Sequence, residues 1–260
     1  MSVLQAALIG CVAALSVLEG GWLGESKFRE PVVTGALVGL ILGDLRQGLI
    51  IGAELQLIWM GAVAIGPTPG LSIGTGGTIG TAIALMTGSG IEVAMAFGVP
   101  VSILMQFLAT LIDTAYSAPM HTVDNLIDEG NQEKKIVFIH YLCGILTFAI
   151  YFSLTFVVLY YGNSAIQGIV NNLPAWVNSG LGAVAKVLPA LGFALLLNLL
   201  LTKDLVPYFV IGFVLAAYMG LSMIAVAAVM IAVAMIMFQI KSGQINVNLQ
   251  TTNASDVEEL

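Results

Sequence analysis

The sequence predicts an all-α, polytopic membrane protein, built in part from discontinuous and re-entrant helices. Three observations carry that reading. Only 9% of the 260 residues are charged, against ~25% in an ordinary soluble domain, which leaves too little charge to clothe a soluble surface. Hydrophobic residues make up 58% and glycine adds 29 residues more. The early apolar segments are short and broken by Gly and Pro, the best sequence pointer to a transporter's binding region.

The 23 Lys, Arg, Asp and Glu residues are clustered. Residues 1–18 have none, and 3–18 read as a first helix. The basic flank of a signal peptide is missing there. That absence, with the many later spans, also argues against cleavage at Leu8-Ile9-Gly10-Cys11, so the helix is expected to stay attached. Eight charges fall in 19–54, among them Glu19, Arg29, Glu30, Asp44, Arg46 and Glu54. Residues 55–112 hold only Glu92. Apolar segments cover roughly 32–43, 48–65, 71–88, 91–112, 136–161, 180–201 and 205–240. A full span takes ~20 residues, a length that 91–112, 136–161 and 180–201 meet cleanly. The 36 residues of 205–240 exceed one span, and Tyr218-Met219-Gly220 is where they divide.

Four regions follow: an N-terminal membrane region with the Gly/Pro-rich segments (1–112), a polar amphipathic connector (113–135), C-terminal membrane helices (136–240) and a polar tail read as disordered (241–260). The connector reads as a short surface helix plus a loop. Lys27, Arg29, Lys134, Lys135 and Lys241 flank apolar segments, and the positive-inside bias favours placing those loops in the cytoplasm, a vote carried by only eight basic residues in the chain.

Several function classes are excluded. A net charge of −7 offers no basic stripe for nucleic acid. There is no phosphate-cradling GxxxxGK[ST] loop, no paired-carboxylate hydrolase pattern and no metal-spaced His/Cys cluster, so no cofactor or metal is expected. Cys11 and Cys143 lie in apolar runs and read as small buried hydrophobes rather than a disulfide. His121 and His140 lack a partner that would hold either as a phosphoryl carrier. The chain therefore carries no evident energy-coupling machinery and is not expected to be catalytic alone; either an ion gradient or partner proteins drive it.

Residues 66–82, GPTPGLSIGTGGTIGTA, hold six glycines, two prolines and five hydroxyl side chains. Non-helical backbone at membrane depth survives only inside protein or along a cavity, so this stretch reads as cavity-lining. Close packing through small residues is the alternative. Glu54 lies in an apolar run between Gly52 and Trp59, and an ionisable residue inside a span is costly. It either receives sugar hydroxyls or ties two helices together. Gln56 supplies a donor and an acceptor, and Trp59 an apolar face for a sugar ring. One unbroken helix turns Gln56 about 200° from Glu54, so a shared ligand requires a break. Asn198 either bonds between helices or contacts substrate. Asp44 and Arg46 read as a turn with a local ion pair, a design repeated at Lys203 and Asp204.

Residues 29–66, REPVVTGALVGLILGDLRQGLIIGAELQLIWMGAVAIG, resemble the IIC membrane component of mannose/fructose/sorbose-family sugar phosphotransferase systems. The G-x-x-x-G-D segment is present at Gly39 to Asp44, Glu54-Leu55 is followed by a glycine at Gly61, one position later than in the E-L-x-x-x-x-G pattern, and Glu30 stands between Arg29 and Pro31. Residues 173–200 and 207–227 resemble the family's later regions. The resemblance implies a IIC subunit in the bacterial inner membrane that pairs with a IID membrane chain, the pairs forming trimers. It implies elevator movement of a core transport domain against a scaffold. It also implies sugar phosphorylation by IIB, supplied through IIA and HPr from phosphoenolpyruvate. The expected substrate-binding set is Glu54, Gln56, Trp59, Thr68, Ser72, Thr75 and Asn198. Trp59-Met60-Gly61 is similar to the amino-sugar branch, and Thr68-Pro69-Gly70 stands where the family has an acidic residue. N-acetylgalactosamine is the first choice. The other readings are an ion-coupled secondary sugar transporter and a non-transporting structural or receptor subunit.

Overall fold

Glycine decides how the first helices meet. The computed structural model describes residues 1–60, 70–130, 132–172 and 174–242. These are helical, with no strand among them, and the chain has two compact units, Met1–Leu199 and Leu200–Leu260.

In the first unit, α1 spans Val3–Leu18 and starts with a capping box: the Ser2 hydroxyl accepts from Gln5 N at 3.2 Å, and Ser2 N donates to Gln5 Oε1 at 2.9 Å. A π-helical turn, Glu19–Leu23, follows. Then come α2 (Pro31–Leu42) and α3 (Leu45–Trp59). Pro31 opens α2, where no amide proton is needed. Gly43 closes it with φ +91° and donates its N–H to Gly39 O. Asp44 caps α3 by accepting from Gln47 N at 3.0 Å. The ion pair expected between Asp44 and Arg46 is absent from the described residues, because the Asp44 carboxylate serves the helix terminus instead.

The α2–α3 hairpin closes backbone on backbone. A Cβ built on Gly48 would sit 2.5 Å from Gly35 O and 2.6 Å from Gly39 Cα, and one on Gly35 would sit 2.8 Å from Gly52 Cα. Lipid gives helices no hydrophobic reason to associate, so close van der Waals approach between small residues takes that role. The device recurs between α4 (Ile73–Thr87) and α5 (Ile91–Glu129), where a Cβ on Gly80 would sit 2.5 Å from Ala94 O and one on Gly76 2.7 Å from Gly98 O. Helix α4 is enclosed by α1, α2, α3 and α5, and every residue from Gly74 to Ala84 is buried.

Helix α6 (Glu133–Tyr161) carries a ladder of stacked rings, Phe148, Phe152, Phe156 and Tyr160, with centroids 5.4–6.1 Å apart. Phe152 lies over Gly10 of α1. Helices α7 (Asn163–Asn171) and α8 (Ala175–Leu200) follow. The connector does not form a separate surface helix, since α5 continues unbroken to Glu129 before the chain turns at Gly130, φ +70°. In the second unit, a 3₁₀ turn (Lys203–Leu205) leads into α9 (Val206–Ala217), and α10 runs Met223–Lys241. The expected division is there, with Gly220 at φ +63° and Ser222 capping α10. The tail beyond 242 lies outside the described residues.

Among the described residues, five helices are long and apolar enough to cross a membrane: Val3–Trp22, Ile91–Asp128, Glu133–Tyr161, Ser179–Leu200 and Met223–Ile240. Helices α2 and α4 are apolar but shorter, as their sequence predicted.

The hairpin yields a stability prediction. Gly48→Ala forces a methyl against the Gly35 carbonyl and should lower stability by about 1–3 kcal/mol. Gly180→Ala, with nothing within 4 Å of the added atom, should not. Thermal melts of the purified chain in detergent compare the two, and equal Tm values would refute the packing argument.

Candidate functional site

The corner between α1 and α2 is where the first unit's polar side chains meet its backbone. The corner forms because α1 ends in a π turn and the backbone then adopts left-handed values at Gly24 (φ +70°), Glu25 (+57°) and Lys27 (+65°). Pro31 restarts the helix. Its carbonyl faces Gly52 of α3, and a Cβ on Gly77 of α4 would lie 3.2 Å from Pro31 Cβ. Gly74, in the first turn of α4, faces Ser16 and Arg29 in the same way. Helices α3 and α4 thus both rest on this corner.

Gln56 is tied to it. Its Nε2 donates to Glu30 Oε2, and its Oε1 accepts from Val32 N at 3.5 Å. A carboxylate that accepts and a carboxamide that donates and accepts give the arrangement chemistry suited to a hydroxyl-rich, uncharged ligand. Arg29 does not add a free cation. Its Nη2 donates to Glu25 Oε2 at 2.8 Å, and its Nε lies 3.7 Å from Glu19 Oε2.

Trp59 is buried, packed with Ile51, Leu55, Ala94 and Met95 and 3.5 Å from where a Cβ on Gly98 would stand. Ser72 precedes α4. It donates its hydroxyl to Thr75 Oγ1 at 3.0 Å and its N–H to Ser102 O at 3.3 Å. Thr75 is fully buried. These contacts give Trp59, Ser72 and Thr75 packing roles and place them on the elements that surround the corner. Thr68 lies outside the described residues.

Glu54 and Gln56 stand on different faces of one unbroken α3, as the 200° rule requires. The helix ends only after Trp59. Gln56 faces α2, while Glu54 is half-buried with the Glu92 carboxylate, at the start of α5, as its electrostatic neighbour. Helix α8 passes both: a Cβ on Gly182 would lie 3.7 Å from Glu92 Oε1, and one on Gly192 would lie 2.5 Å from Leu57 O. Asn198 is exposed farther along α8 and makes no hydrogen bond among the described residues. Glu54 and Asn198 therefore do not join the Glu30–Gln56 pair here.

Sequence reasoning missed Glu30, Glu19 and Glu92 as functional candidates. Glu30 is 26 positions from Gln56, and no local pattern links them. The one available signal was its odd place between Arg29 and Pro31. Among the described residues no group of three or more His, Cys, Asp or Glu is placed to hold a metal. A cavity of about 190 Å³ lies apart, lined by Trp22, Tyr116, His140 and Thr147 among others.

The family described as "PTS system sorbose-specific iic component" matches residues 3–236. The mannose-specific EIIC component of Escherichia coli K12 is 28% identical over 241 residues, covering 92% of this chain and 90% of that protein. N-acetylgalactosamine permease IIC component 1 of the same organism is 29% identical over 213 residues, covering 80% and 78%. Two solved structures share the fold at 28% identity, each covering 92% of this chain and 96% of its own: a membrane protein at TM-score 0.83, and the mannose transporter ManYZ in complex with microcin E492 at 0.58. With residues 3–236 matched and apolar helices laid out as in these membrane proteins, the chain belongs to the sorbose-type IIC family of the sugar phosphotransferase system.

Proposed function

We propose that this chain is the sugar-translocating IIC subunit of a phosphoenolpyruvate-dependent phosphotransferase system in a bacterial inner membrane. The sugar is a hexose or amino sugar, N-acetylgalactosamine before mannose. The observation that carries the reading is a polar constellation set among close-packed apolar helices of a IIC-family chain: Glu30 and Gln56 bonded together, with Glu54 one face away on α3. Glu54, Gln56 and Trp59 are the first candidates for sugar contact, with Thr68, Ser72 and Thr75 beside them and Asn198 reaching the sugar only in another arrangement of α8. A carrier of this kind holds the sugar while a IIB protein phosphorylates it, and IIB is recharged through IIA and HPr. A IID chain is the membrane partner, with IIC–IID pairs in trimers, and a core domain moving elevator-fashion supplies the translocation. The ManYZ neighbour supports the pairing, and the mannose and N-acetylgalactosamine relatives support the sugar class.

The acidic lining favours a neutral sugar. Among the described residues none of Glu30, Glu54 and Glu92 is paired with a cation. A hydroxyl-bearing ring donates to such carboxylates, whereas a phosphate brought beside them is repelled.

The deciding assay is uptake by membranes containing this chain with and without its IID and IIB partners, using radiolabelled N-acetylgalactosamine and mannose. Sugar phosphate should accumulate, dependent on phosphoenolpyruvate and on both partners. Free sugar that collapses with the ion gradient would replace this reading with a secondary transporter.

In the same assay, Glu54→Gln should raise KM for the transported sugar about tenfold or more, the size expected for losing hydrogen bonds to a charged group, with membrane insertion intact. Unchanged kinetics would remove Glu54 from the site.

A further inference from the structure

Glu19 is the one carboxylate among the described residues whose side chain is fully buried (0% exposed). It sits in the π turn that ends α1, within a segment apolar enough to cross a membrane. A charge in that position is costly and is kept only where its partners are in place. Its Oε1 accepts from Phe28 N at 2.7 Å and from Ser26 Oγ at 3.2 Å, and its Oε2 accepts from Arg29 N at 2.9 Å. Two successive backbone amides of the corner therefore terminate on one buried side chain.

What they hold is the base of the Glu30–Gln56 pair. The clasped residue Arg29 is followed directly by Glu30, which accepts from Gln56 of α3, and by Pro31, which abuts Gly52 and Gly77. Arg29 itself meets Gly74 at the start of α4. The intervening loop carries two non-glycine residues with left-handed backbone, Glu25 and Lys27. Such conformations persist only when their surroundings over-determine them. On the other side, the Trp22 ring fills the space that a side chain at Gly144 of α6 would occupy. The segment is thus held from α6 and α1 at one end and reaches α2, α3 and α4 at the other.

We propose that Glu19 is a positioning residue for the sugar site: by gripping the Phe28 and Arg29 amides it fixes where Glu30 stands, and so fixes the Gln56 carboxamide. This rests on the sugar-site reading above. Glu19 touches no sugar. It acts through the backbone of residues 28–30, and losing its grip should weaken sugar binding more than it slows the loaded carrier.

The test uses the complete complex in membranes, with radiolabelled N-acetylgalactosamine and mannose, and rates normalised to the amount of inserted chain. Glu19→Gln keeps the side chain's volume but replaces one accepting oxygen with an amide that cannot receive the backbone N–H. It should raise KM roughly five- to tenfold and change the maximal rate less than twofold. In a Gln56→Asn background the same substitution should add less than twofold, because residues acting as one unit are not additive. Ser26→Ala removes a single donor from the same carboxylate, should raise KM two- to threefold, and keeps the question open to measurement if Glu19→Gln fails to insert. A KM untouched by Glu19→Gln, or by Ser26→Ala where Glu19→Gln fails to insert, overturns the proposal, as do Glu19 and Gln56 effects that simply multiply. If Glu54→Gln raises KM as predicted while Glu19→Gln lowers only the amount of inserted protein, the sugar site stands and Glu19 is a brace. If Glu54→Gln leaves uptake unchanged, it is the site assignment that falls.

Discussion

The close approach of helix backbones through glycine is the constraint on which the rest of the molecule depends. Gly35, Gly39, Gly48 and Gly52 bring α2 and α3 together without room for a methyl group, and Gly76, Gly80 and Gly98 do the same for α4 and α5. Apolar helices in lipid gain nothing by hiding from one another, since lipid tails are as apolar as leucine. Contact density is what remains, and glycine maximises it. The cost is that α4 is buried along most of its length, so its hydroxyls have only near neighbours to bond: Thr78 donates to Gly74 O at 2.7 Å and Thr75 accepts from Ser72 at 3.0 Å, while the buried Thr81 hydroxyl has no partner among the described residues. Glycine gives this helix its thin packing, and two of its three buried threonines are satisfied locally.

That logic explains which parts of the fold were legible in the sequence. Short apolar segments split by Gly and Pro foretold α2, α3 and α4, because helix ends are local chemistry: Pro31, Gly43, Asp44 and Gly88 sit where caps belong. The division at Tyr218–Gly220 was readable for the same reason. The 113–135 connector was not. A rise in charge marks where lipid ends, and it says nothing about where a helix ends. Helix α5 simply continues to Glu129, with Tyr116 bonded across to Cys143 O of α6 at 2.8 Å. The Asp44–Arg46 ion pair failed for a related reason, since Asp44 is itself the N-cap of α3 and its carboxylate gains more by accepting from Gln47 N than from an exposed ion pair of small worth.

Residue type could nominate the candidate site's members but not their arrangement. Glu54 was singled out because an ionisable group inside an apolar run is expensive, Gln56 for its donor and acceptor, and Trp59 for its apolar face. The partners that give Gln56 its orientation, Glu30 and Val32, are 26 and 24 positions away. Only the fold brings them near. The stretch around Thr68 remains an expectation from the sequence, since it falls outside the described residues. For Trp59, residue type suggests sugar stacking, and the fold adds the surroundings that hold the ring: it packs with Ala94 and Met95 and lies near Gly98.

The balance of charge links packing to transport. The corner's own cations, Lys27 and Arg29, are compensated by Glu25 and Glu19. Among the described residues around α3, three carboxylates without an ion pair, Glu30, Glu54 and Glu92, stand against one cation without an ion pair, the exposed Arg46 in its first turn. Under the proposed function this asymmetry gives direction to the cycle. A neutral sugar can donate hydroxyl protons to these carboxylates on entry. Once it carries a phosphate, the same oxygens face an anion, and like-charge juxtaposition works against rebinding. A carrier whose product is charged needs no motor of its own to release it, provided its walls carry the product's sign.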